Sequence, residues 1–408
     1  MNTRLSNPFE FFLLVGLIIF VPLLEAPKNI FWAIFIGVWV TNHFRTKDWG
    51  GAWDLWDSLI AIWILSSYFI SAFSGLHNSE WGGANDILRY ASILWAIKRS
   101  GYNRIEFRWL LIAIAFSTLI ALIYALWSLF ITHTEHALEL NSVGHVNHSA
   151  IYLAISFGAL ISLVLAFWEK CHIGLRTLGA GLSLLFAVSI FISDSRAAVG
   201  ISLLAALILG LAWLRRSKFP LVVLLATTTL LVGSAYLGQV AVVQKQESLT
   251  QSGIILSNRN LIWNMALVAW HKYPIFGVGM HNYNQISFDK VKAWQEEAGN
   301  VYVASEYAGS SHAHSLYITS LAERGLIGTG ILLGILLAWF LWLIRFLPKA
   351  DDEDLAWALW GGSFSAFFVT VSIGLVNTTL HHEHAILSTM LLGMWLSFLK
   401  SRKSSAAA

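Results

Sequence analysis

The sequence predicts an all-α polytopic membrane protein of about twelve transmembrane helices, interrupted once by a long polar interval that carries amphipathic helices. Three observations predict it. Hydrophobic residues make up 57% of the 408 residues and charged ones only 12%, too few to cover a surface that faces water on all sides. The apolar residues fall into repeated runs about as long as a bilayer is thick. Lysine and arginine gather in alternate short connections, as expected of an inserted helical bundle.

Taken in order, the runs place spans at 11–24, 29–42, 58–76, 85–98, 109–131, 149–168, 175–193, 197–213, 219–243, 314–346, 355–377 and 383–399. The first follows Arg4 and lacks a small-x-small cleavage site, so it reads as a retained span rather than a signal peptide. An even number of crossings puts both termini on one side. With that side cytoplasmic, the inner connections hold Arg45 and Lys47, then Lys98, Arg99, Arg104 and Arg108, then Lys170 and Arg176. They continue with Arg215, Arg216 and Lys218, with Arg345 and Lys349, and end with Lys400, Arg402 and Lys403. The opposite short turns hold little more than Lys28 and Arg196. The polar interval then lies on the outer face, together with the histidine-rich turns from His133 to His148 and from His381 to His384.

The chain divides into spans one to nine (1–243), an outer-face subdomain (244–313), and the last three spans with a tail (314–408). No repeat of fixed period is visible. Cys171, the single cysteine, excludes an intramolecular disulfide and a multi-thiolate metal cluster. A formal charge of +3 implies no nucleic-acid partner, since the basic residues sit where insertion requires them. Among 20 tryptophans, Trp49, Trp53, Trp56 and Trp81 lie near span ends and fit an interfacial belt against membrane lipids.

Five stretches could carry chemistry. Ser193-Asp194-Ser195-Arg196 joins two apolar spans with almost no loop, which puts a guanidinium at headgroup depth, where it needs an anion. Asp194 or a lipid phosphate would serve, but the small neighbours leave room for a phosphate-bearing substrate. In Ser257-Asn258-Arg259-Asn260-Leu261-Ile262-Trp263, Ser257 or Asn258 can cap a helix limited by Pro274. Leu261, Ile262, Met265, Val268 and Ala269 form its apolar stripe, set against the membrane surface or other spans. Arg259 in its first turn opposes the helix dipole, which favours a ligand role over a stabilising one.

Downstream, Pro274-Ile275-Phe276-Gly277-Val278-Gly279 reads as a tight turn that would aim His281 and Asn282 at a cleft. His312 and His314 open the tenth span. Their spacing is wrong for a helical metal pair and no acid stands near in sequence, so no metal is assigned. A neutral imidazole there suits a general base. His381-His382-Glu383-His384 reads as a solvated turn or as support for another group.

Together, Ser-x-Ser-Arg at 193–196, Arg259-Asn260-Leu261-Ile262-Trp263, Pro274 to Gly279, and His314-Ser315-Leu316 leading to Glu323-Arg324-Gly325-Leu326-Ile327-Gly328 resemble the bacterial O-antigen ligase and polymerase superfamily. The resemblance is strongest over 190–330. Ser315 stands where asparagine is frequent. It implies a metal-independent, GT-C-like glycosyltransferase of the inner membrane, without cofactor, whose site faces the periplasm. The donor would be an undecaprenyl-pyrophosphate-linked O-antigen and the acceptor lipid A-core. Arg196 and Arg259 would bind the donor diphosphate and His314 would be the base, with His312, His281, Asn282 and the intraspan Arg89 as further substrate-binding residues.

Within that superfamily a single long outer loop and a short one at 132–148 favour a ligase over a polymerase. A protein O-oligosaccharyltransferase is a further enzymatic reading. A lipid-linked-glycan transporter is the reading from another class, and it would require polar groups deep in several spans and broken helices near the midplane.

Overall fold

In the computed structural model, residues 7–193, 195–216 and 259–406 are described. Asp194, the ninth predicted span at 219–243 and the capping pair Ser257 and Asn258 lie outside them. The elements are α1 (Pro8–Phe20), α2 (Glu25–Thr46), α3 (Leu55–Phe73), α4 (Glu80–Arg99), α5 (Arg104–Trp127), α6 (Val146–Phe167), α7 (Ile173–Ile192), α8 (Arg196–Trp213), α9 (Arg259–Lys272), α10 (Phe288–Glu297), α11 (Leu316–Arg345), α12 (Asp354–Ile373) and α13 (His382–Ala406). A π-helical turn, Ser128–Thr132, extends α5, and the described residues contain no β-sheet.

Each predicted span within the described residues meets a helix, and α3, α5, α6, α7, α8, α11 and α12 are long and apolar enough to cross a bilayer. That makes seven such helices among the described residues. At 13 residues α1 reaches about 20 Å, short of a hydrocarbon core of about 30 Å. Helices α2, α4 and α13 carry charges that hydropathy penalises and the fold neutralises. Lys28 of α2 pairs with Glu383 of α13, both buried, and Asp86 of α4 pairs with Arg89 at 2.5 Å.

Helices α6 and α12 form the centre. Gly158 and Ser162 on α6 face Gly361 and Ser365 on α12. A Cβ on Gly158 would fall 2.3 Å from Ser365 Oγ, and one on Gly361 would fall 2.3 Å from Ser162 Oγ. Both pairs are small residues one turn apart, the spacing that lets two helices approach closely in lipid. Each hydroxyl donates to its own helix, Ser162 to the Gly158 carbonyl at 2.7 Å and Ser365 to the Gly361 carbonyl at 2.8 Å, so no polar atom is left bare.

At the end opposite the polar interval, Asp57 is fully buried. Its oxygens accept from Arg99 Nε at 2.9 Å, Arg99 Nη2 at 2.6 Å and Trp95 Nε1 at 2.9 Å, and Lys98 Nζ lies at 2.8 Å. Arg99 also donates to the carbonyls of Trp49 and Gly51, tying the α2–α3 connection to α4. Lys98 and Arg99, expected in an inner loop, are therefore structural as well as topological. Removing the carboxylate with Asp57→Ala would leave buried Arg99 without a carboxylate and Lys98 with only Asp54, at 2.9 Å. The expected loss is about 3–5 kcal/mol, to be read as a lowered melting temperature of the detergent-solubilised protein, with no loss expected from Asp351→Ala, an exposed site.

The tryptophan expectation is corrected at one position. Trp53 and Trp81 are exposed, as anchors should be, but Trp56 is only 2% exposed and packs inside the bundle.

Candidate functional site

The polar interval builds a small core of its own. On α9, Ile262, Met265, Val268 and Ala269 are buried and join Val278, Tyr283, Val291, Tyr307, Ala313 and Ala322. The apolar stripe thus packs against protein. Tyr283 Oη donates to the Ile262 carbonyl at 2.9 Å and locks the roof to α9.

Three segments lie close enough to act on one another electrostatically. Arg196 is the first residue of α8, after a turn in which Ser193 Oγ donates back to the Ile190 carbonyl at 2.6 Å. Arg259 is the first described residue of α9. His314 directly precedes Ser315, the N-cap of α11. The N-termini of α8 and α11 present unpaired N–H groups that favour anions, and two guanidiniums and an imidazole stand in the same neighbourhood. Arg259 is half-buried, and burial, followed by the nearby Arg196 charge, lowers its pKa. The same Arg259 charge acts on His314. Residues 63 and 55 positions apart along the chain thereby share one electrostatic neighbourhood.

The Arg259-x-x-x-Trp263 spacing has a geometric reason. One turn apart, both side chains share a face of α9, and Trp263 Nε1 donates to the Ala313 carbonyl at 2.8 Å. Ala313 is fully buried between the two histidines, and its N–H donates to Thr319 Oγ1 at 3.3 Å. His314 is held at φ 49°, in the left-handed region that non-glycine residues rarely adopt. Its Nε2 lies 3.2 Å from Ser310 Oγ, while its buried Nδ1 has no partner among the described residues.

Eight of the 14 histidines form one connected cluster there. His312 stands 4.3 Å from His314, ring centre to ring centre, and 6.2 Å from His148. His148 Nδ1 and His384 Nε2 lie 3.0 Å apart with their rings stacked. His145, His281, His381 and His382 complete it. The short 132–148 connection positions His145 and His148 by tucking Leu138 and Leu140 completely inside. Among the described residues no three His, Cys, Asp or Glu side chains are arranged to hold a metal ion. The expected solvated turn at 381–384 is instead largely interior: Glu383 and His384 are buried and engage Lys28 and His148.

Burial, then the neighbouring histidines, pushes the His312 pKa down to about 4, and burial with the Arg259 charge lowers that of His314. An unfolded imidazole titrates near about 6.5, so between about 4 and 6.5 the unfolded chain binds more protons. The contribution of these groups to stability is complete above that window and is lost as pH falls through it. The melting temperature should therefore drop on acidification across this range, and His312→Gln should flatten the drop.

The remaining expected site residues divide. His281 Nε2 lies 3.4 Å from Asp86 Oδ2, and Arg89 shares that carboxylate while also donating to Asn29 Oδ1 at 3.1 Å. They form a second polar group, joined to the cluster through the His281 and His381 rings at 5.5 Å. Asn282 does not face a cleft. It is fully buried, accepting from the Ser79 N–H at 2.9 Å and donating to the Leu76 carbonyl at 2.9 Å, so it holds the α3–α4 connection against the roof.

The Pro274 to Gly279 turn has a partner that hydropathy hides. Helix α11 breaks at Gly325, with φ 61° and ψ −162°. The turn enters the break: Val278 N–H donates to the Ala322 carbonyl and Gly279 N–H to the Glu323 carbonyl, both at 2.9 Å, while Leu326 N–H donates to the Pro274 carbonyl at 2.9 Å. Gly277, at φ 69°, has no room for a side chain, because a Cβ would lie 2.4 Å from the Glu323 carbonyl carbon. The expected unbroken tenth span is therefore two helical pieces whose free backbone groups are satisfied by another segment of the chain, as a low-dielectric setting demands.

Fold and site define a polytopic all-α membrane protein with a cationic, histidine-lined region at one end of its bundle. Residues 181–333 match the family model for O-antigen ligase, a stretch running from α7 into α11 that contains Arg196, Arg259 and His314. No curated protein matches the chain.

Proposed function

We propose that the chain is an O-antigen ligase, transferring O-antigen polysaccharide from undecaprenyl pyrophosphate to a sugar hydroxyl of lipid A-core. The observation that carries the reading is the shared electrostatic neighbourhood of Arg196, Arg259 and His314 within the segment that matches the ligase family model. Arg196 and Arg259 bind the donor diphosphate and stabilise the charge that grows on it as the glycosidic bond breaks. His314 takes the proton of the attacking hydroxyl, for which its unpartnered Nδ1 and lowered pKa suit it. Direct displacement inverts the anomeric centre, and no divalent ion is required for the charge stabilisation assigned to the arginines.

In this reading the protein is a GT-C-like transferase of the bacterial inner membrane. Both termini are cytoplasmic and the histidine cluster faces the periplasm. The polyprenyl tail stays in lipid while its diphosphate meets the arginines. His312 sits beside the base, and the Asp86, Arg89 and His281 group lies where an acceptor glycan could be held. The break in α11 does not favour a transporter, because the freed backbone bonds to residues 274–279 of the same chain.

Deleting the gene and resolving lipopolysaccharide and carrier-linked glycan by gel tests the proposal. Long chains left on undecaprenyl pyrophosphate beside bare lipid A-core are expected. Core bearing only single repeat units would make the enzyme a polymerase instead, and an unchanged profile would reject both.

A further inference from the structure

At the end of the bundle opposite the histidine cluster, α5, α6 and α7 enclose an apolar cleft of about 340 Å³. Its origin lies in the way α7 packs. The buried residues of α7 are Phe186, Ala187, Ser189 and Ile190, all in the half nearer the site. Gly179 approaches Val164 of α6 so closely that a Cβ would fall 2.8 Å from a valine methyl. In the half of α7 farther from the site, Ile173, Leu175 and Leu178 are exposed. Leu160, Leu163 and Val164 of α6 help to form the cleft wall.

Two arginines flank the same cleft, Arg108 from α5 and Arg176 from α7. Both are held in place. The Arg108 guanidinium carbon lies 4.9 Å from the centre of the Phe167 ring, an attractive cation–π arrangement. Arg176 lies over Trp168 and donates to the carbonyls of Cys171 at 2.8 Å and Glu169 at 3.1 Å. Neither meets a carboxylate among the described residues, and Arg108 makes no hydrogen bond to the protein there.

An apolar cleft flanked by two guanidiniums has the chemistry of a lipid site. We infer that this cleft seats one anionic glycerophospholipid, an acyl chain between α5 and α7 and the phosphate between Arg108 and Arg176. Two cations against one phosphodiester leave a positive excess, which accepts a net-negative headgroup and repels the ammonium of a zwitterionic one. The seated lipid props α7, whose far end turns directly into Arg196. The inference does not rest on the proposed transferase activity.

Native mass spectrometry of the purified full-length protein, given either phosphatidylglycerol or phosphatidylethanolamine in detergent, tests it. Wild type should retain one phosphatidylglycerol in preference to phosphatidylethanolamine. Arg108→Gln, at an exposed side chain without protein hydrogen bonds among the described residues, should lower that retention by about fivefold with an unchanged melting temperature. Ala115→Phe, which fills the cleft and spares both arginines, should lower it as well; a folded, monodisperse sample of that variant makes the comparison valid. Equal retention of the two lipids, or retention by Arg108→Gln equal to wild type, would overturn the site.

Discussion

Arg259→Ala is expected to lower glycan transfer by at least about a hundredfold, the scale for removing one preorganised donor to developing negative charge. The side chain starts α9 beside Arg196, is half-buried, and meets no carboxylate among the described residues. The like charge of Arg196 disfavours the Arg259 cation in the empty protein, and the substitution should relieve some of that repulsion. The variant should therefore insert normally and melt no lower than wild type while losing activity. Arg259→Lys keeps the charge but not the fork that engages two phosphate oxygens, so it should recover only part of the rate. Normal transfer by Arg259→Ala would remove the residue from the mechanism.

His314→Ala is the second large effect, with a loss of about 10²–10⁴-fold expected for a general base. Its neighbour His312 provides the control. The two rings are 4.3 Å apart and both pKa values are lowered, but only His314 has a buried ring nitrogen without a partner and feels Arg259 directly. Assayed in proteoliposomes with a lipid-linked donor, His312→Ala should retain most of the turnover and His314→Ala almost none. The reverse ranking would transfer the role of base to His312.

The bundle was largely legible in the sequence because the length and polarity of an apolar run report directly on insertion. Arg196, Arg259 and His314 stood out as candidates as well, since each interrupts a local pattern: a cation in a turn without a loop, a cation at the wrong end of a dipole, a histidine at a span boundary. What single-chain patterning could not supply was the meeting of distant segments. His148 and His384 are 236 positions apart, and nothing local announces that their nitrogens come within 3.0 Å. Asn282 looks like a ligand beside His281 until the Leu76 and Ser79 backbone is seen to use its amide. Trp56 resembles its neighbours Trp53 and Trp49 in sequence, and only packing places it inside. The break at Gly325 escaped notice because hydropathy counts side chains and is blind to a carbonyl that has lost its helical partner.

That break also orders the assembly of the molecule. The outer turns of α11 cannot complete their backbone bonding alone, since the groups at 322, 323 and 326 are matched by a strip of chain at 274–279 that leaves the ribosome first. The strip acts as a waiting template. Until it docks, the upper piece of α11 has no low-energy resting place in lipid, and once docked it fastens the roof to the bundle by main-chain bonds that side-chain substitution does not remove. A chain cut between 279 and 316 would have to find that match as a bimolecular event, so the roof and the last three helices are one folding unit despite the polar interval that separates them.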